Sequence, residues 1–285
     1  GVHLIQMLNI LERFPLAQYG HNGAHSLHLM VEAMKRAYAD RTQHLGDPDF
    51  WSVPIKGLTS KAYASQLAAK IDPYRARPSA EIGHGDPAPH ESNETTHFSV
   101  MDGQGNVVSN TYTLNFSFGT GIMAPGTGIL LNNEMDDFSA KPGVPNAFGL
   151  IGGEANAIQG GKRPLSSMTP TILFKDGKPL LATGTPGGSR IITMVLQVLL
   201  NVIDHGMNIA EATAARRVHH QWLPDKLFVE PGLSPDTLAI LRRRGHIVTP
   251  SRAAGSVQSV MRAANGAGFL GASDPRRPGA LTAGY

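Results

Sequence analysis

The chain has 285 residues, and 25 Lys and Arg against 22 Asp and Glu give it a formal charge of +3 at pH 7. Hydrophobic residues make up 41% and charged residues 16%, a composition typical of a folded globular protein and unlike that of a disordered chain or a coiled coil. Cys is absent, which excludes disulfides, thiolate metal sites and a cysteine nucleophile. The basic residues form no continuous stripe, so the charge does not favour a nucleic-acid partner.

Helical patterns dominate the first part of the chain. Residues 1–8 open directly in an amphipathic helix without the features of a signal peptide, which favours a segment cut from a longer protein. Apolar residues at helical spacing predict a second helix over residues 22–43, with Lys35, Arg36 and Arg41 on its solvent side. No run of eighteen apolar residues occurs, so we expect no membrane span.

The pattern changes after the first helices. Residues 72–94 are rich in Pro and Gly, which predicts a flexible connector without a helix or a central strand. From Thr95 onward, residues alternate in character with a period of two, as in a β-strand. This alternation predicts a β-hairpin from residues 97–100 and 106–115, joined by an Asp-Gly turn.

Hairpins and helices alternate through the rest of the chain. A second hairpin at residues 169–183 leads through a glycine turn into an apolar helix at residues 191–203. This order predicts an α+β fold of stacked antiparallel sheets covered by helices. The later elements are expected as helices beginning after Asn208 and Ser234 and as strands at residues 257–261 and 268–271.

Thr95 is the first candidate for catalysis. Thr is a good strand former, so its position alone favours an ordinary structural role. A break of the backbone before Thr95 would free an α-amine with a pKa of about 8, close enough to the Thr95 hydroxyl to act as its base. A linker that could be cleaved, followed by a strand that begins with Thr, therefore makes a nucleophilic Thr95 a hypothesis worth testing.

Gly187 and Gly188 precede the helix at residues 191–203. Two glycines there let backbone N–H groups approach a substrate and stabilise an oxyanion, although by themselves they favour a tight turn with positive φ. A phosphate loop is disfavoured, because Ser189 and Arg190 stand where such a loop needs Lys.

Three further groups give weaker signals. Ser166 and Ser167 have hydroxyls that could bind a carboxylate, or they form an ordinary polar turn. The acidic residues at 133–137 could hold an ammonium group, or they are simply solvated. His219 and His220 are adjacent and lack a third ligand at useful spacing, so a metal site is not expected.

Taken together, these residues belong to a set of collinear motifs that strongly resembles the γ-glutamyltranspeptidase family. The resemblance runs the whole length of the chain. Its motifs are residues 91–100, 111–115, 118–121, 130–138, 164–168, 184–189, 271–276 and 284–285.

The resemblance implies a fold and a maturation step. The fold would be the four-layer αββα sandwich of N-terminal nucleophile hydrolases. The family is made as a precursor that cleaves itself before its nucleophilic Thr, which here is the bond between Glu94 and Thr95. Residues 1–94 would be the C-terminal part of a large subunit and residues 95–285 the small subunit, both in one αββα domain of a heterodimer.

The resemblance also implies the roles of individual residues. Thr95 would be the nucleophile, with Thr113 hydrogen-bonded to it, and Gly187 and Gly188 would form the oxyanion hole. Residues 141–149 resemble a lid loop in which Phe148 replaces the usual Tyr, so its hydrogen bond to Asn115 should be absent. The substrate binders would be Asn115, Glu134 and Asp137 for the α-ammonium and Ser166 and Ser167 for the α-carboxylate.

The implied activity is transfer of the γ-glutamyl group of glutathione and related compounds to water or to an amino acid or dipeptide. It requires no cofactor and no metal. In the family an Arg from an earlier part of the large subunit binds the α-carboxylate, and we expect the chain as given to lack this anchor. We also expect a periplasmic or secreted bacterial enzyme.

Two alternatives remain open. A cephalosporin acylase of the same superfamily uses similar chemistry, but its glutaryl substrate lacks the α-amine that Glu134 and Asp137 would bind. The chain could instead be an inactive truncated copy that keeps the motifs only as relics.

Overall fold

The computed structural model describes residues 1–87, 98–266, 268–277 and 279–284. Glu94 and Thr95, the predicted cleavage site and nucleophile, lie outside these described residues. The helices are α1 Val2–Leu11, α2 Ala24–His44, α3 Ile55–Leu58, α4 Lys61–Ala68, α5 Ile191–Ile203, α6 Ile209–Ala214 and α7 Pro235–Arg243. The strands are β1 Phe98–Met101, β2 Val107–Asn110, β3 Thr171–Lys175, β4 Lys178–Gly184, β5 Val218–His219, β6 Leu227–Val229, β7 Val248–Pro250, β8 Gln258–Arg262 and β9 Phe269–Ser273.

Helix α2 is the central helix of the fold. Its predicted bounds are confirmed within two residues, but the predicted solvent side is wrong, because Lys35, Arg36 and Arg41 are all buried. Buried charges require partners. Lys35 Nζ and Arg36 Nη1 meet the two carboxylate oxygens of Glu32 at 2.9 and 2.8 Å, which allows the helix to be enclosed on every side.

Four antiparallel strands form the main sheet, in the order β3-β4-β8-β9. The predicted second hairpin and both late strands are confirmed here. Leu181, Ala182 and Thr183 in β4 are all fully buried. Because successive side chains of a strand point to opposite faces, the sheet is covered on both of its faces at this point.

The hairpin β1–β2 stacks on this sheet. Ser99 Oγ donates to Gln258 O and Ser109 Oγ donates to Thr183 O, both at 3.2 Å. Helices α5 and α6 pack against the same sheet. The predicted strand over residues 106–115 is wrong beyond Asn110, because the backbone leaves the ladder there to approach the site described below.

A small third sheet, β5-β6-β7, was not predicted. Its strands have two or three residues, too few for a periodic pattern to indicate them, and β6 pairs with β7 in parallel. Nearby, Asn208 caps α6 as expected by accepting from Ala210 N and Glu211 N. Ser234 precedes α7 as expected but makes no capping hydrogen bond with its side chain.

The described part of the connector, residues 72–87, contains one short 3₁₀ turn and no strand. It makes hydrogen bonds to the core. Gly85 N donates to Asp40 Oδ1 at 2.7 Å, and Trp222 Nε1 donates to Ser79 O at 2.9 Å. Among the described residues, no helix combines the length and apolar character needed to cross a membrane.

Candidate active site

A cavity of ≈ 90 Å³ lies between the end of β4 and the loops that follow β2 and precede β3. Eight of the predicted site residues line it, although they come from distant parts of the chain. Glu134 is not among the lining residues. The eight are Thr113, Asn115, Asp137, Phe148, Ser166, Ser167, Gly187 and Gly188.

The Gly187–Gly188 turn connects β4 to α5. Both residues have positive φ, +148° and +56°, so the tight turn considered from sequence is present. Space is limited as well, since a Cβ on Gly187 would lie 2.5 Å from Met194 Cε. Within the described residues neither N–H of the turn has a hydrogen-bond acceptor, and both residues line the cavity. The turn therefore offers two backbone donors to an oxyanion.

Ser166 and Ser167 form the opposite wall. Met168 N donates to Ser166 Oγ at 3.2 Å. Ser167 is nearly buried, and its hydroxyl oxygen accepts from Arg41 Nη2 at 2.9 Å. Within the described residues this hydroxyl donates no hydrogen bond, so its proton can point toward an anion in the cavity.

Arg41 reaches the site from behind Ser167. It lines a separate cavity of ≈ 380 Å³ that shares Ser166 and Ser167 with the smaller one. Burial lowers the pKa of Arg41, and the nearby Tyr38 and Asp137 partly oppose this shift. The guanidinium therefore adds positive potential beside the two hydroxyls.

Thr113 and Asn115 lie where the backbone leaves β2. Asn115 has a φ of +70°, and its N–H donates to Thr113 Oγ1 at 2.8 Å. The Asn115 side-chain Nδ2 donates to Asn133 O at 3.1 Å. In the described part of the chain Thr113 Oγ1 is only an acceptor, so its proton remains available to another oxygen.

The acidic segment folds into a 3₁₀ turn, Glu134–Asp137. Asn156 Nδ2 donates to the backbone O of Asp137 at 2.7 Å, which fixes the end of the turn. This places Asp137, but not Glu134, in the wall of the cavity. The cavity is thus lined by one acidic residue and two hydroxyl-bearing residues, which suits a group that carries both charges.

Phe148 closes the cavity beside the glycine turn. Its ring is so near Gly188 that an added Cβ there would lie 2.5 Å from Phe148 Cδ1. The ring also meets Phe116 edge to face at 5.8 Å between centroids. A phenyl ring has no hydroxyl, so residues 141–149 are held near the turn by packing and by their backbone.

His219, in β5, and His220, which follows it, are both buried and have separate partners. His219 lies between Thr193 and Gln221, and burial lowers its pKa to about 3. His220 Nε2 lies 3.1 Å from Asp225 Oδ1. Across the described ranges no group of three or more His, Asp or Glu side chains could hold a metal ion.

A family model for γ-glutamyltranspeptidase matches residues 1–284, nearly the whole chain. The chain belongs to the γ-glutamyltranspeptidase family.

Individual relatives agree with this assignment. A glutathione hydrolase proenzyme of Escherichia coli (strain K12) is 60% identical over 285 residues, which are 100% of this chain and 49% of that protein. The chain spans about half the length of the curated relatives that it matches.

Solved structures confirm the predicted α+β fold. A mutant of Helicobacter pylori γ-glutamyltranspeptidase is 52% identical with a TM-score of 0.62, covering 64% of this chain and 100% of that one. A cephalosporin acylase from Bacillus halodurans is 28% identical with a TM-score of 0.81, covering 96% of this chain and 47% of that one.

Three residues that shape this γ-glutamyltranspeptidase-like site carry no recognisable motif. Arg41 contacts Ser167, Tyr38 donates its hydroxyl to Ser189 O, and Gln221 contacts both Ser189 and Phe148. The only sequence signal for Arg41 is a charge on a helix that is otherwise rich in core residues. Tyr38 and Gln221 resemble ordinary core positions until the fold brings their partners together.

Proposed function

We propose that the protein transfers γ-glutamyl groups from glutathione and related γ-glutamyl compounds. The observation that carries this proposal is the convergence of two oxyanion donors, two Ser hydroxyls, Asn115 and the Asp137 carboxylate on one cavity. An α-ammonium and an α-carboxylate at one end of a substrate match these opposite groups. The glutathione hydrolase relative at 60% identity supports the same substrate class.

The proposed reaction passes through an acyl-enzyme. Thr95 Oγ attacks the γ-carbonyl carbon, and its proton goes to the Thr95 α-amine. The Gly187 and Gly188 N–H groups stabilise the oxyanion while the C–N bond breaks and the leaving amine takes the proton. Water then releases glutamate, or the amine of an amino acid or dipeptide accepts the γ-glutamyl group.

Maturation is part of the proposal. Thr95 Oγ attacks the Glu94 carbonyl carbon, and the C–N bond between Glu94 and Thr95 breaks, which gives an ester and frees the Thr95 amine. Water then hydrolyses this ester to the Glu94 carboxylate and the Thr95 hydroxyl. Residues 1–94 then end the large subunit and residues 95–285 form the small subunit, within one αββα domain. We propose that the remainder of a longer large subunit supplies an Arg for the substrate carboxylate, with Glu134 reaching the ammonium in that complete assembly.

The decisive experiment compares Thr95→Ala with Thr96→Ala in the full-length gene product. Intact mass should show two subunits for wild type and Thr96→Ala, and one uncut chain for Thr95→Ala. Only the cut proteins should hydrolyse γ-glutamyl-p-nitroanilide and glutathione. Normal maturation and turnover by Thr95→Ala would refute the mechanism, and a wild type that neither matures nor turns over would indicate an inactive copy.

A second substrate distinguishes the acylase alternative from γ-glutamyl transfer. Its structural relative is 28% identical, against 60% for the glutathione hydrolase. Asp137 in the cavity wall favours a cationic group, which a glutaryl chain lacks. Preferential hydrolysis of a glutaryl-β-lactam over γ-glutamyl-p-nitroanilide would favour the acylase.

We further propose a periplasmic or secreted location. Two glycosylation sequons, at Asn93 and Asn115, would place sugar on the scissile bond or in the pocket, which together with the absence of Cys favours a bacterial exported enzyme. Fractionation of the source cells, with activity in the periplasm or medium as the expected result, tests this location.

A further inference from the structure

Gln221 is a buried amide that contacts two separate parts of the candidate site. Its Oε1 accepts from Ser189 Oγ at 2.8 Å, directly after the Gly187–Gly188 turn. Its Nε2 donates to Phe148 O at 3.2 Å. One side chain therefore joins residues 141–149, called the lid below, to the turn at residues 187–189, called the oxyanion turn.

The orientation of this amide is determined by its neighbours. Nε2 faces two carbonyl oxygens, Phe148 O at 3.2 Å and Leu223 O at 3.4 Å. A flipped amide would place Oε1 against both of these acceptors and would leave them without a donor. Oε1 must then face Ser189 Oγ, whose hydroxyl donates to it.

His219 also contacts Oε1 of Gln221. His219 Nε2 lies 2.9 Å from Gln221 Oε1, and Nδ1 lies 2.8 Å from Thr193 Oγ1. Because Oε1 can only accept, Nε2 carries the proton, and the unprotonated Nδ1 of the neutral ring faces Thr193 Oγ1, which also lies 3.0 Å from Arg190 O. Burial keeps the imidazole neutral, so this arrangement persists over the ordinary pH range.

We propose that Gln221 is a positioning residue that couples the lid to the oxyanion turn. This inference rests on the proposed function for its kinetic consequences, because the oxyanion turn acts only on a γ-glutamyl carbonyl. Release of Phe148 O lets the Phe148 ring move away from Gly188, which opens the cavity. Release of Ser189 Oγ loosens the turn that aims the two N–H groups.

Three variants separate the two links. Gln221→Glu keeps an oxygen for Ser189 and His219 but places a second oxygen against Phe148 O and Leu223 O, so it breaks the lid link. Ser189→Ala breaks only the link to the turn, and Gln221→Met breaks both. The matched control is Gln197→Met, since Gln197 is also buried and, among the described residues, its side chain bonds only Thr193 O and the Val218 backbone.

Steady-state kinetics on γ-glutamyl-p-nitroanilide with the full-length gene product should separate the two links by their effects on KM and kcat. We expect Gln221→Glu to raise KM about tenfold with kcat within threefold, and Ser189→Ala to lower kcat about tenfold with KM within threefold, as for the loss of one buried hydrogen bond. Gln221→Met should change both constants. Gln197→Met should lower Tm and leave both constants within twofold.

Amide hydrogen exchange provides a readout that is independent of activity. Exchange over residues 141–150 should be about fivefold faster or more in Gln221→Glu and Gln221→Met and unchanged in Ser189→Ala and Gln197→Met. Equal lid exchange in Gln221→Glu, Gln197→Met and wild type would overturn the coupling. If the wild type does not turn over γ-glutamyl-p-nitroanilide, the proposed function fails while the exchange data still decide the coupling.

Discussion

The ring of Phe148 occupies the space that a side chain on Gly188 would need. A Cβ on Gly188 would lie 2.5 and 2.6 Å from two carbons of that ring, and Gly188 has a φ of +56°. The backbone conformation therefore favours glycine, and the close contact leaves no room for a side chain. The lid and the oxyanion turn are in direct contact as a result.

Gly188→Ala should abolish most γ-glutamyl transfer. The methyl group must displace Phe148 or shift the turn, and loss of one oxyanion donor alone lowers kcat about 100-fold or more. Steady-state kinetics on γ-glutamyl-p-nitroanilide measure this loss.

Gly126→Ala is the matched control. Gly126 has a similar φ of +75°, but nothing lies within 4 Å of its added Cβ. We expect this variant to lose about 1 kcal/mol of stability from backbone strain and to keep its kcat. Equal kcat for Gly188→Ala and wild type would contradict an oxyanion role for the turn.

Phe148→Tyr should tighten the lid. Asn115 Nδ2 already donates to Asn133 O, which leaves Asn115 Oδ1 to accept from a new phenol. One added hydrogen bond should lower the KM for γ-glutamyl-p-nitroanilide about threefold. Phe116→Tyr, on the partly exposed ring beside it, is the control and should leave KM unchanged. A KM in Phe148→Tyr that equals or exceeds that of wild type would contradict this effect.

Arg41 and Ser167 should act as one unit in binding the substrate carboxylate. A double-mutant cycle with Arg41→Lys and Ser167→Ala, read from the inhibition constant of glutamate, should give a coupling energy of about 1–2 kcal/mol. The same cycle with Arg163→Lys should be additive, because Arg163 is bonded to Asp47. Additive effects for Arg41 and Ser167 would show that the guanidinium does not orient the hydroxyl.

His219 should make the protein sensitive to acid. Its pKa is about 3 in the folded state against 6.5 for an ordinary His, so between these values the unfolded chain binds more protons. Stability is therefore fully present above pH 6.5 and is lost as the pH falls. Between pH 7 and pH 5, protonation of this one group in the unfolded chain should lower the free energy of unfolding by about 2 kcal/mol.

His219→Gln should remove that part of the pH dependence. Urea unfolding at pH 7 and pH 5 measures it, and the difference between the two pH values should be about 2 kcal/mol smaller than in wild type. His205→Gln is the control, because His205 is only partly buried and its pKa is lowered less. An unchanged difference in His219→Gln would mean that His219 is charged when buried.

Local patterns predicted much of the fold. The apolar stretch at residues 191–203 became α5 with the same bounds, and the second hairpin formed at the predicted turn. These elements depend on side-chain periodicity and on turn residues only a few positions apart, so the local sequence indicates them directly. Strands of two or three residues, such as β5, carry no such period, and only the sheet around them defines them.

The same distinction between local patterns and tertiary contacts applies to the candidate site. The sequence by itself determined the family, the motif residues and the glycine turn, because these depend on residue identity at fixed local spacing. Only the tertiary structure decided that Asp137 but not Glu134 lines the cavity, that Arg41 is buried behind Ser167 and that Gln221 joins Phe148 to Ser189. Arg41 and Ser167 are 126 positions apart, and Gln221 and Phe148 are 73 apart. Contacts at such separations arise from packing of the whole chain, and no local pattern encodes them.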